Sequence, residues 1–363
     1  MPLSFSVLSL INVTCNGVTF YSINHINYRI MKKELDFGLL KSLYKVFSPS
    51  MEEKKMRKFI KRHIKKNIPG VTVVQDENGN LLITKGESES YPCICAHMDQ
   101  VQRNHPKDFE CIENDDVIFG YSSKTRSQCG LGADDKNGLF IALECLASYD
   151  VLKCAFFVGE EIGCRGSSAV DMSFFNDCRY CIQVDRRGNS DMVTSIYTEM
   201  CSADFIVDTN HEAYGYNLSS GAMTDVAELF ERGVGVSCIN LSCGYYEPHT
   251  DHEFTSKSDV QKCYDFVCHI IEACVGIYSV DFWAESSDDR YWGEPSNGPL
   301  TSVSDYFKNM VREEVESIIN WNPESTFEEV LDELSFNGLL DYVTSDEANE
   351  MYNNIHSSVK KKA

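Results

Sequence analysis

The sequence predicts an α/β fold, in which a mostly parallel mixed sheet is flanked by helices on both faces. Three observations favour this fold class. Short apolar segments typical of buried strands recur along the chain, helical segments separate most of them, and His, Asp or Glu follows where these strands end. Because ligands bind beyond the carboxyl ends of the strands in such sheets, we expect the functional residues along one edge.

Composition limits the classes of protein that this chain can belong to. Its 363 residues are 43% hydrophobic, which is enough for a full core and for extensions around it. The formal net charge of -22 argues against nucleic acid and anionic membrane surfaces as partners, since both require clustered Lys and Arg. The 16 cysteines show no small-domain disulfide framework, so we interpret them as reduced thiols of a cytoplasmic protein.

The first third of the chain predicts an extension, two helices and a hairpin. Residues 1–30 have neither a basic region followed by an apolar segment nor an apolar run of about 18 residues, so we predict neither a signal peptide nor a membrane span. Apolar residues at helical spacing predict helices over Glu34–Phe47 and Glu52–Lys66, the second with a solvent-exposed Lys/Arg face. Asn-Gly between the apolar runs of Val71–Lys85 predicts a β-hairpin.

Four later apolar segments predict strands that end at chemically reactive residues. They are Tyr91–Ala96 before His97, Val151–Gly159 before Glu160 and Glu161, Tyr180–Val184 before Asp185, and Gly233–Leu241 shortly before His249. A glycine-bounded turn, Gly132–Gly138 (GADDKNG), places Asp134 beside Asp135. Two adjacent carboxylates in a tight turn call for a positive charge, which either Lys136 or a metal ion could supply; a simple helix cap is the alternative.

The residue types at these strand ends suit metal-assisted hydrolysis. Two His and three carboxylates form a mixed ligand set for zinc, cobalt or manganese, and one carboxylate can bridge two ions. Neighbouring residues of an extended backbone point in opposite directions. We therefore expect one member of the Glu160–Glu161 pair to face the metals and the other to act as general base. Asp99, two residues after His97, is expected to accept the second imidazole N–H and so fix the tautomer.

Five motifs occur in a fixed order, and together they resemble a known superfamily. They are His97-x-Asp99-x-Val101, the Gly132–Gly138 turn, Glu160-Glu161-x-Gly163-x-x-Gly166, Val184-Asp185 and His249-Thr250-x-x-Glu253. This set resembles the co-catalytic zinc exopeptidases, which include the M20, M28 and M42 metallopeptidases. The first three motifs are most similar to the peptidase T branch of M20, and the last to M28 and M42 aminopeptidases. The resemblance covers about residues 31–280.

The resemblance implies a role for each matched residue. Asp134 would bridge two divalent ions, most typically Zn²⁺ with Co²⁺ or Mn²⁺ as alternatives, next to a cis peptide bond between Asp134 and Asp135. One ion would be bound by Asp134, Glu161 and His249, and the other by Asp134, His97 and Asp185. Glu160 would be the general base toward a water shared by the two ions, and Asp99 would support the catalytic site.

The activity implied by the resemblance is that of an aminopeptidase or small-peptide hydrolase acting on short peptides. Three alternatives stay open: a deacylase of acylated amino acids or peptides, a carboxypeptidase, and a non-catalytic structural or interaction protein on the same fold. Only 64 residues separate Asp185 from His249, and only 37 separate His97 from Asp134. Both gaps are too short for the domains that M20 and M42 enzymes insert there. We therefore expect one catalytic domain over 31–284, nearest in layout to M28 aminopeptidases.

Several residues near these motifs have competing interpretations. His252 is the rival of His249 as a ligand. Asp225 is either a helix cap or a binder of a peptide's α-amino group. Arg186 and Arg187 either form surface or supporting ion pairs, or one of them binds a substrate carboxylate or the oxyanion. Cys93, Cys95 and Cys164 are interpreted as core thiols, because the ligand set is complete without them.

The composition changes after about residue 285. Residues 285–363 hold seventeen Asp/Glu and six Lys/Arg, with a predicted linker over 285–302 and an acidic helical extension over 303–363. An apolar stripe at helical spacing is expected to dock on the catalytic domain or on another subunit, or to belong to a partner-binding module. We therefore expect a homo-oligomer or a protein partner to bind through these helices. The stripe consists of Phe307, Met310, Val311, Val315, Ile318 and Ile319.

Overall fold

A computed structural model describes residues 11–15, 18–22, 33–280 except 197, and 311–312, 315, 318–319, 325–336 and 344–360. The chain divides into two compact units, Met1–Ser287 and Asp288–Ala363. The α-helices are α1 Gly38–Tyr44, α2 Lys54–Asn67, α3 Ala133–Ser148, α4 Arg165–Ala169, α5 Ala203–Thr209, α6 Asp225–Glu231, α7 Lys257–Ala273, α8 Phe327–Phe336 and α9 Ser345–Lys360. Among the described residues, no helix is long and apolar enough to cross a bilayer.

The described part of the chain contains sixteen strands besides these helices. They are β1 Ile11–Cys15, β2 Val18–Ser22, β3 Val71–Gln75, β4 Leu81–Lys85, β5 Tyr91–His97, β6 Phe109–Asn114, β7 Val117–Ser122, β8 Ser127–Cys129, β9 Leu152–Phe157, β10 Cys178–Arg186, β11 Asp191–Ile196, β12 Thr198–Glu199, β13 Asn217–Ser220, β14 Cys238–Ser242, β15 Tyr245–Tyr246 and β16 Phe254–Ser256. The first two form an antiparallel pair within the N-terminal segment.

The main sheet is mixed, with parallel strands at its centre. Its order is β12-β11-β14-β10-β5-β9-β4-β3, with β13 paired to β11. The pairs β14–β10, β10–β5 and β5–β9 are parallel, whereas β11–β14, β9–β4 and β4–β3 are antiparallel. The predicted fold class is therefore confirmed, including the hairpin formed by β3 and β4. Strand β5 is buried along its whole length, as a central parallel strand must be.

Helices cover both faces of this sheet and produce two apolar cores. Helix α3 packs on β5, β9 and β10, with α1 and α7 behind it. Helices α4 and α6 lie on the opposite face, where they enclose the second core. The Lys/Arg-rich helix α2 buries Met56, Ile60 and Ile64, so its charged side faces solvent as predicted.

A second, five-stranded sheet was not predicted from the sequence. Strands β6, β7 and β8 form it together with β15 and β16. The segment between His97 and Asp134 is thus too short for an inserted domain, but it is long enough for three strands of this second sheet. Strand β6 (FECIEN) has no buried residue and strand β8 has three residues in all, so neither has the apolar run that marks a strand in sequence. Because β15 and β16 flank His249, this sheet also carries the last predicted ligand.

The C-terminal unit has an apolar core of its own. Val311, Val315 and Ile319 are buried in one cluster with residues of α8 and α9, such as Val330 and Tyr352. The expectation that this stripe docks on the catalytic domain or on another subunit was therefore wrong for these three side chains. Phe307, Met310 and the predicted linker over 285–302 lie outside the described residues.

Candidate metal centre

The five predicted ligands converge at the carboxyl edge of the central parallel strands. His97 is the last residue of β5, and Asp185 lies near the end of its neighbour β10. Asp134 stands in the first turn of α3, where the helix is interrupted by non-helical backbone at Asp134 and Asp135. A Cβ on Gly138 would lie 2.3 Å from the carbonyl oxygen of Val184, so glycine lets this helix start directly against β10.

The Asp134 carboxylate lies between the two histidines, with one oxygen toward each. Its Oδ1 is 3.0 Å from His97 Nε2, and its Oδ2 is 3.3 Å from His249 Nε2. His97 Nε2 is also 3.5 Å from Asp185 Oδ1, and His249 Nε2 is 3.1 Å from Glu161 Oε2. Donor atoms of His97, Asp134 and Asp185 lie within 4.8 Å of one another, as do those of Asp134, Glu161 and His249.

Glu160 lies beside these two groups without belonging to either of them. Its Oε2 is 3.9 Å from His97 Nε2, and its Oε1 accepts a long contact of 3.9 Å from the thiol of Cys164. The expectation of extended backbone here was wrong, because Glu160–Ile162 form a 3₁₀ turn. The turn starts and ends at Gly159 and Gly163, both in the left-handed region, and this backbone reversal separates the two carboxylates.

Asp99 connects the turn to His97. Its Oδ1 accepts the Glu160 N–H at 3.1 Å, and its Oδ2 accepts the Glu161 N–H at 3.3 Å and the Ser50 hydroxyl at 2.8 Å. Nδ1 of His97 is 3.3 Å from Asp99 Oδ1 but lacks the alignment of a hydrogen bond. The carboxylate thus holds the backbone of both glutamates as well as facing the imidazole, a contact that the sequence motif does not show.

Glu253 fixes the loop that carries Asp134. Its carboxylate accepts the backbone N–H groups of Gly132 at 2.5 Å, Ala133 at 3.0 Å and Asp134 at 3.2 Å. Asp135 faces the other way, where Oδ2 accepts the His97 N–H at 3.1 Å. The Asp134–Asp135 peptide bond is cis, as the resemblance implies. Glu253 is the last residue of the His249-Thr250-x-x-Glu253 motif. That motif is the sequence feature that marks it, but no role was predicted for Glu253.

Lys136 does not neutralise the neighbouring aspartates. Its ammonium is fully buried and donates to the side-chain oxygen of Gln100. Burial lowers the pKa of Lys136 to about 7, and the charge of the Glu253 carboxylate opposes this effect only in part. The two adjacent carboxylates therefore still require a positive charge.

Electrostatics in the centre reflect an excess of buried carboxylates over cations. Burial and the Asp134 carboxylate raise the pKa of Asp185 well above its usual range, and burial does the same for Glu160. Hydrogen bonds to Asp134 and Glu161 raise the pKa of His249 to about 11. Without a bound cation, the negative charge of this cluster is therefore balanced only when its carboxylates and histidines hold additional protons. Bound metal ions would balance the same charge without these protons.

The donor atoms fit a divalent metal pair. Two buried carboxylate oxygens, Glu161 Oε1 and Asp185 Oδ1, have no hydrogen-bond partner among the residues that the structure describes, and there is one in each ligand group. Buried polar atoms without a partner are costly, so orphans in both ligand groups favour an additional binding partner there. Imidazole and carboxylate donors suit zinc and similar divalent ions.

The rival candidates lie elsewhere or are already paired. His252 is exposed, with Nδ1 3.3 Å from Gln128 Oε1. Asp225 is fully buried and accepts from Ser167 at 2.5 Å and Gln183 at 3.3 Å, so it is neither the helix cap nor open to a substrate. Arg186 pairs with Asp191 at 3.3 Å, whereas Arg187 is exposed.

Comparison with known proteins supports the fold. No protein-family model matches the chain, and no curated protein matches it in sequence. Among solved structures, the chain is similar to aminopeptidase PepT of Bacillus cereus (TM-score 0.55, 17% identity, 65% of this chain and 97% of that one). It is also similar to an aminopeptidase of the archaeon Desulfurococcus kamchatkensis (TM-score 0.52, 15% identity, 67% of this chain and 97% of that one). A tripeptidase of Staphylococcus aureus is similar as well (TM-score 0.51, 14% identity, 65% of this chain and 96% of that one).

These similarities define the class of fold. The unit that holds the metal-ligand candidates shares the α/β fold of these aminopeptidase and tripeptidase structures.

Proposed function

We propose that the chain is a metal-dependent aminopeptidase or small-peptide hydrolase. The observation that carries this proposal is the Asp134 carboxylate, which offers one oxygen to the His97 group and the other to the His249 group. This is the arrangement expected of a carboxylate that bridges two ions, most typically Zn²⁺. A metal pair held by His97, Asp134, Glu161, Asp185 and His249 would supply polarisation of the peptide carbonyl and activation of water.

Glu160 is the proposed general base. It is buried, its Oε2 lies 3.9 Å from His97 Nε2, and burial raises its pKa, so its carboxylate can accept a proton and return it to the leaving amine. Asp99 is the proposed positioning residue, because its two oxygens hold the backbone N–H groups of Glu160 and Glu161. These hydrogen bonds fix the base relative to His97.

The charge of the centre favours substrates with a free amino end. Carboxylates dominate the ligand cluster, while the nearby cations Arg186 and Lys136 are bound to Asp191 and Gln100. An ammonium group is therefore the better electrostatic match, and several of the structurally similar proteins are aminopeptidases. Exposed Arg187 is the one observation in favour of a carboxypeptidase, since it could bind a substrate carboxylate.

One assay distinguishes these activities. A short peptide and its N-acetylated form are incubated with zinc- or cobalt-loaded protein, and products are identified by mass spectrometry. We expect release of the N-terminal residue from the free peptide alone, and no release by Glu160→Gln. Loss of the acetyl group would instead establish a deacylase, and release of the C-terminal residue a carboxypeptidase. Metal-loaded protein that cleaves neither peptide would contradict the proposal and favour the non-catalytic alternative.

We also propose that residues 31–284 are the catalytic domain and that 303–363 are a module for a second copy or another protein. Support comes from the separate apolar core around Val311 and Tyr352 and from the chain's division near residue 287. The fifteen cysteines described within 33–280 form no disulfide bonds, which fits a cytoplasmic location. Truncation after Ser287 should leave kcat/KM unchanged and alter the mass measured by light scattering. An unchanged state of assembly would contradict this role.

A further inference from the structure

A cluster of thiols lies at the opposite end of the two strands that carry His97 and Asp185. The Sγ atoms of Cys93 on β5 and of Cys178 and Cys181 on β10 lie within 4.8 Å of one another, and all three side chains are buried. The sequence spacing is also typical of metal ligands, with Cys178-Arg-Tyr-Cys181 beside Cys93-Ile-Cys95. The catalytic proposal uses none of these residues.

Strand pairing explains how three thiols reach one point. Cys93 and Cys181 are directly paired across the parallel strands β5 and β10. Cys178 is three residues before Cys181, and in a regular strand it would point to the other face. The pairing register shifts between Cys178 and Tyr180, and this irregularity turns Cys178 to the same face.

The surroundings of the cluster lower the pKa of Cys178, whereas the contacts with Cys178 raise the pKa of Cys93 and Cys181. Hydrogen bonds from the thiols of Cys181 and Cys93 lower the pKa of Cys178, and the ammonium of Lys153 adds to this effect. Lys153 is paired with Cys93 across β5 and β9, and its Nζ donates to Asp177 and to the Phe174 carbonyl. Apolar residues of the second core surround the rest of the site.

We propose that Cys93, Cys178 and Cys181 form a second metal site, which binds one thiophilic d¹⁰ cation, Zn²⁺ or Cu⁺. Soft thiolate ligands select these ions over the hard cations that oxygen ligands prefer. On binding, three metal–sulfur bonds form, the S–H protons of the three ligands leave to buffer, and no electron is transferred. Zinc–sulfur bonds of about 2.3 Å require sulfur atoms roughly 3.8 Å apart, so only small side-chain rotations are needed.

This site is separate from the candidate catalytic centre. Cys93 and His97 are four residues apart on one strand, which corresponds to about 13 Å. A cation at the thiols would tie β5 to β10 at their amino ends. Its role would be structural, and the proposal does not depend on the peptidase activity.

Cobalt(II) is the probe that distinguishes the two kinds of site. Thiolate ligands give Co²⁺ an intense ultraviolet charge-transfer band, whereas imidazole and carboxylate ligands do not. We expect the reduced full-length protein to bind three Co²⁺ and to show this band. The Cys178→Ala variant should lose the band and one ion. Absence of the band in the parent protein at saturating Co²⁺ would overturn the proposal, whatever the variants do.

A matched control separates ligation from core packing. Cys154 on β9 is equally buried but lies in the core on the other face of the sheet. The Cys154→Ala variant should keep the band and all three ions, and an equal loss of the band in both variants would contradict the site. If Cys178→Ala does not fold by circular dichroism, Cys93→Ala replaces it. Displacement of the Co²⁺ band by one equivalent of Zn²⁺, or by Cu⁺ alone, then identifies the preferred ion.

Discussion

The two ends of strands β5 and β10 show how one pair of strands can present two kinds of chemistry. At the carboxyl end, His97 and Asp185 meet side chains from a helix start, a 3₁₀ turn and the second sheet. At the amino end, Cys93, Cys178 and Cys181 meet through strand pairing alone. The carboxyl end is polar and rich in hydrogen bonds from neighbouring loops, whereas the amino end is enclosed by apolar residues.

The difference shows which residues each of the two centres depends on for its geometry. The carboxyl-end centre depends on residues that hold its loops, so substitutions outside the ligand set should weaken it. The thiol cluster depends on one irregularity of register and on three side chains. The following predictions are given in order of decreasing effect. The first three test the carboxyl-end centre, and the fourth concerns an ion-pair site away from both centres.

The largest expected effect concerns Glu160. The Glu160→Gln substitution removes the proton acceptor but leaves both ligand groups intact, so kcat should fall by about 10²- to 10⁴-fold while metal content stays constant. Steady-state kinetics and elemental analysis check this result. Glu110→Gln, an exposed substitution on β6, serves as the control and should retain full activity. A fully active Glu160→Gln enzyme would remove Glu160 from the mechanism.

The next largest effect is expected at Asp99. An Asn side chain has one carbonyl oxygen and cannot accept hydrogen bonds on both sides, so Asp99→Asn should release the backbone of Glu160 or Glu161. Activity or metal affinity should fall roughly 10- to 100-fold. Ser50→Ala, which removes one donor to the same carboxylate, should change either quantity much less. Equal losses in the two variants would show that Asp99 acts only through Ser50.

A smaller effect, on stability, is expected at Glu253. The Glu253→Gln substitution weakens the acceptor of three backbone N–H groups in the Asp134 loop. The free energy of unfolding should decrease by about 1–3 kcal/mol, measured by urea denaturation without added metal. The exposed Glu247→Gln variant should match the parent. An unchanged midpoint for Glu253→Gln would mean that the loop holds its shape without this carboxylate.

The smallest effect is expected outside both ends of the strands, at Glu113 on β6. Hydrogen bonds from Lys257 and Lys41 lower the pKa of Glu113 from 4.5 to about 2. Because the folded-state pKa is below the unfolded one, the stabilisation is complete above about pH 4.5 and is lost as the pH falls toward 2. Glu113 is about one-third exposed, so solvent screening limits the effect to about 0.5 kcal/mol. Urea denaturation of Glu113→Gln should differ from the parent at pH 7 and converge with it near pH 2; a constant difference would contradict the linkage.

The sequence predicted those parts of the molecule in which a short motif directly follows an apolar strand. His97, Glu160, Glu161 and Asp185 were placed at strand ends in this way, and the mixed sheet followed from the alternation of strands and helices. The 3₁₀ turn was not predicted, because the sequence does not show that Gly159 and Gly163 adopt the left-handed conformation.

Other features depend on contacts between distant residues. Glu253 lies more than a hundred residues from the backbone groups that it binds, and no local pattern specifies that contact. Cys178 approaches Cys93 only because the pairing register shifts in β10, and the strand pattern in the sequence does not show this shift. Val311, Val315 and Ile319 showed a helical stripe in sequence, but the pattern could not say that its partners lie in the same C-terminal unit.

The central claim is that Asp134 bridges two divalent ions, and an anomalous-scattering map of zinc-loaded crystals tests it most directly. The proposal predicts two peaks about 3.5–4 Å apart, one on each side of the Asp134 carboxylate, within bonding distance of His97 and His249 respectively. A single peak, or two peaks that do not share Asp134, would contradict it.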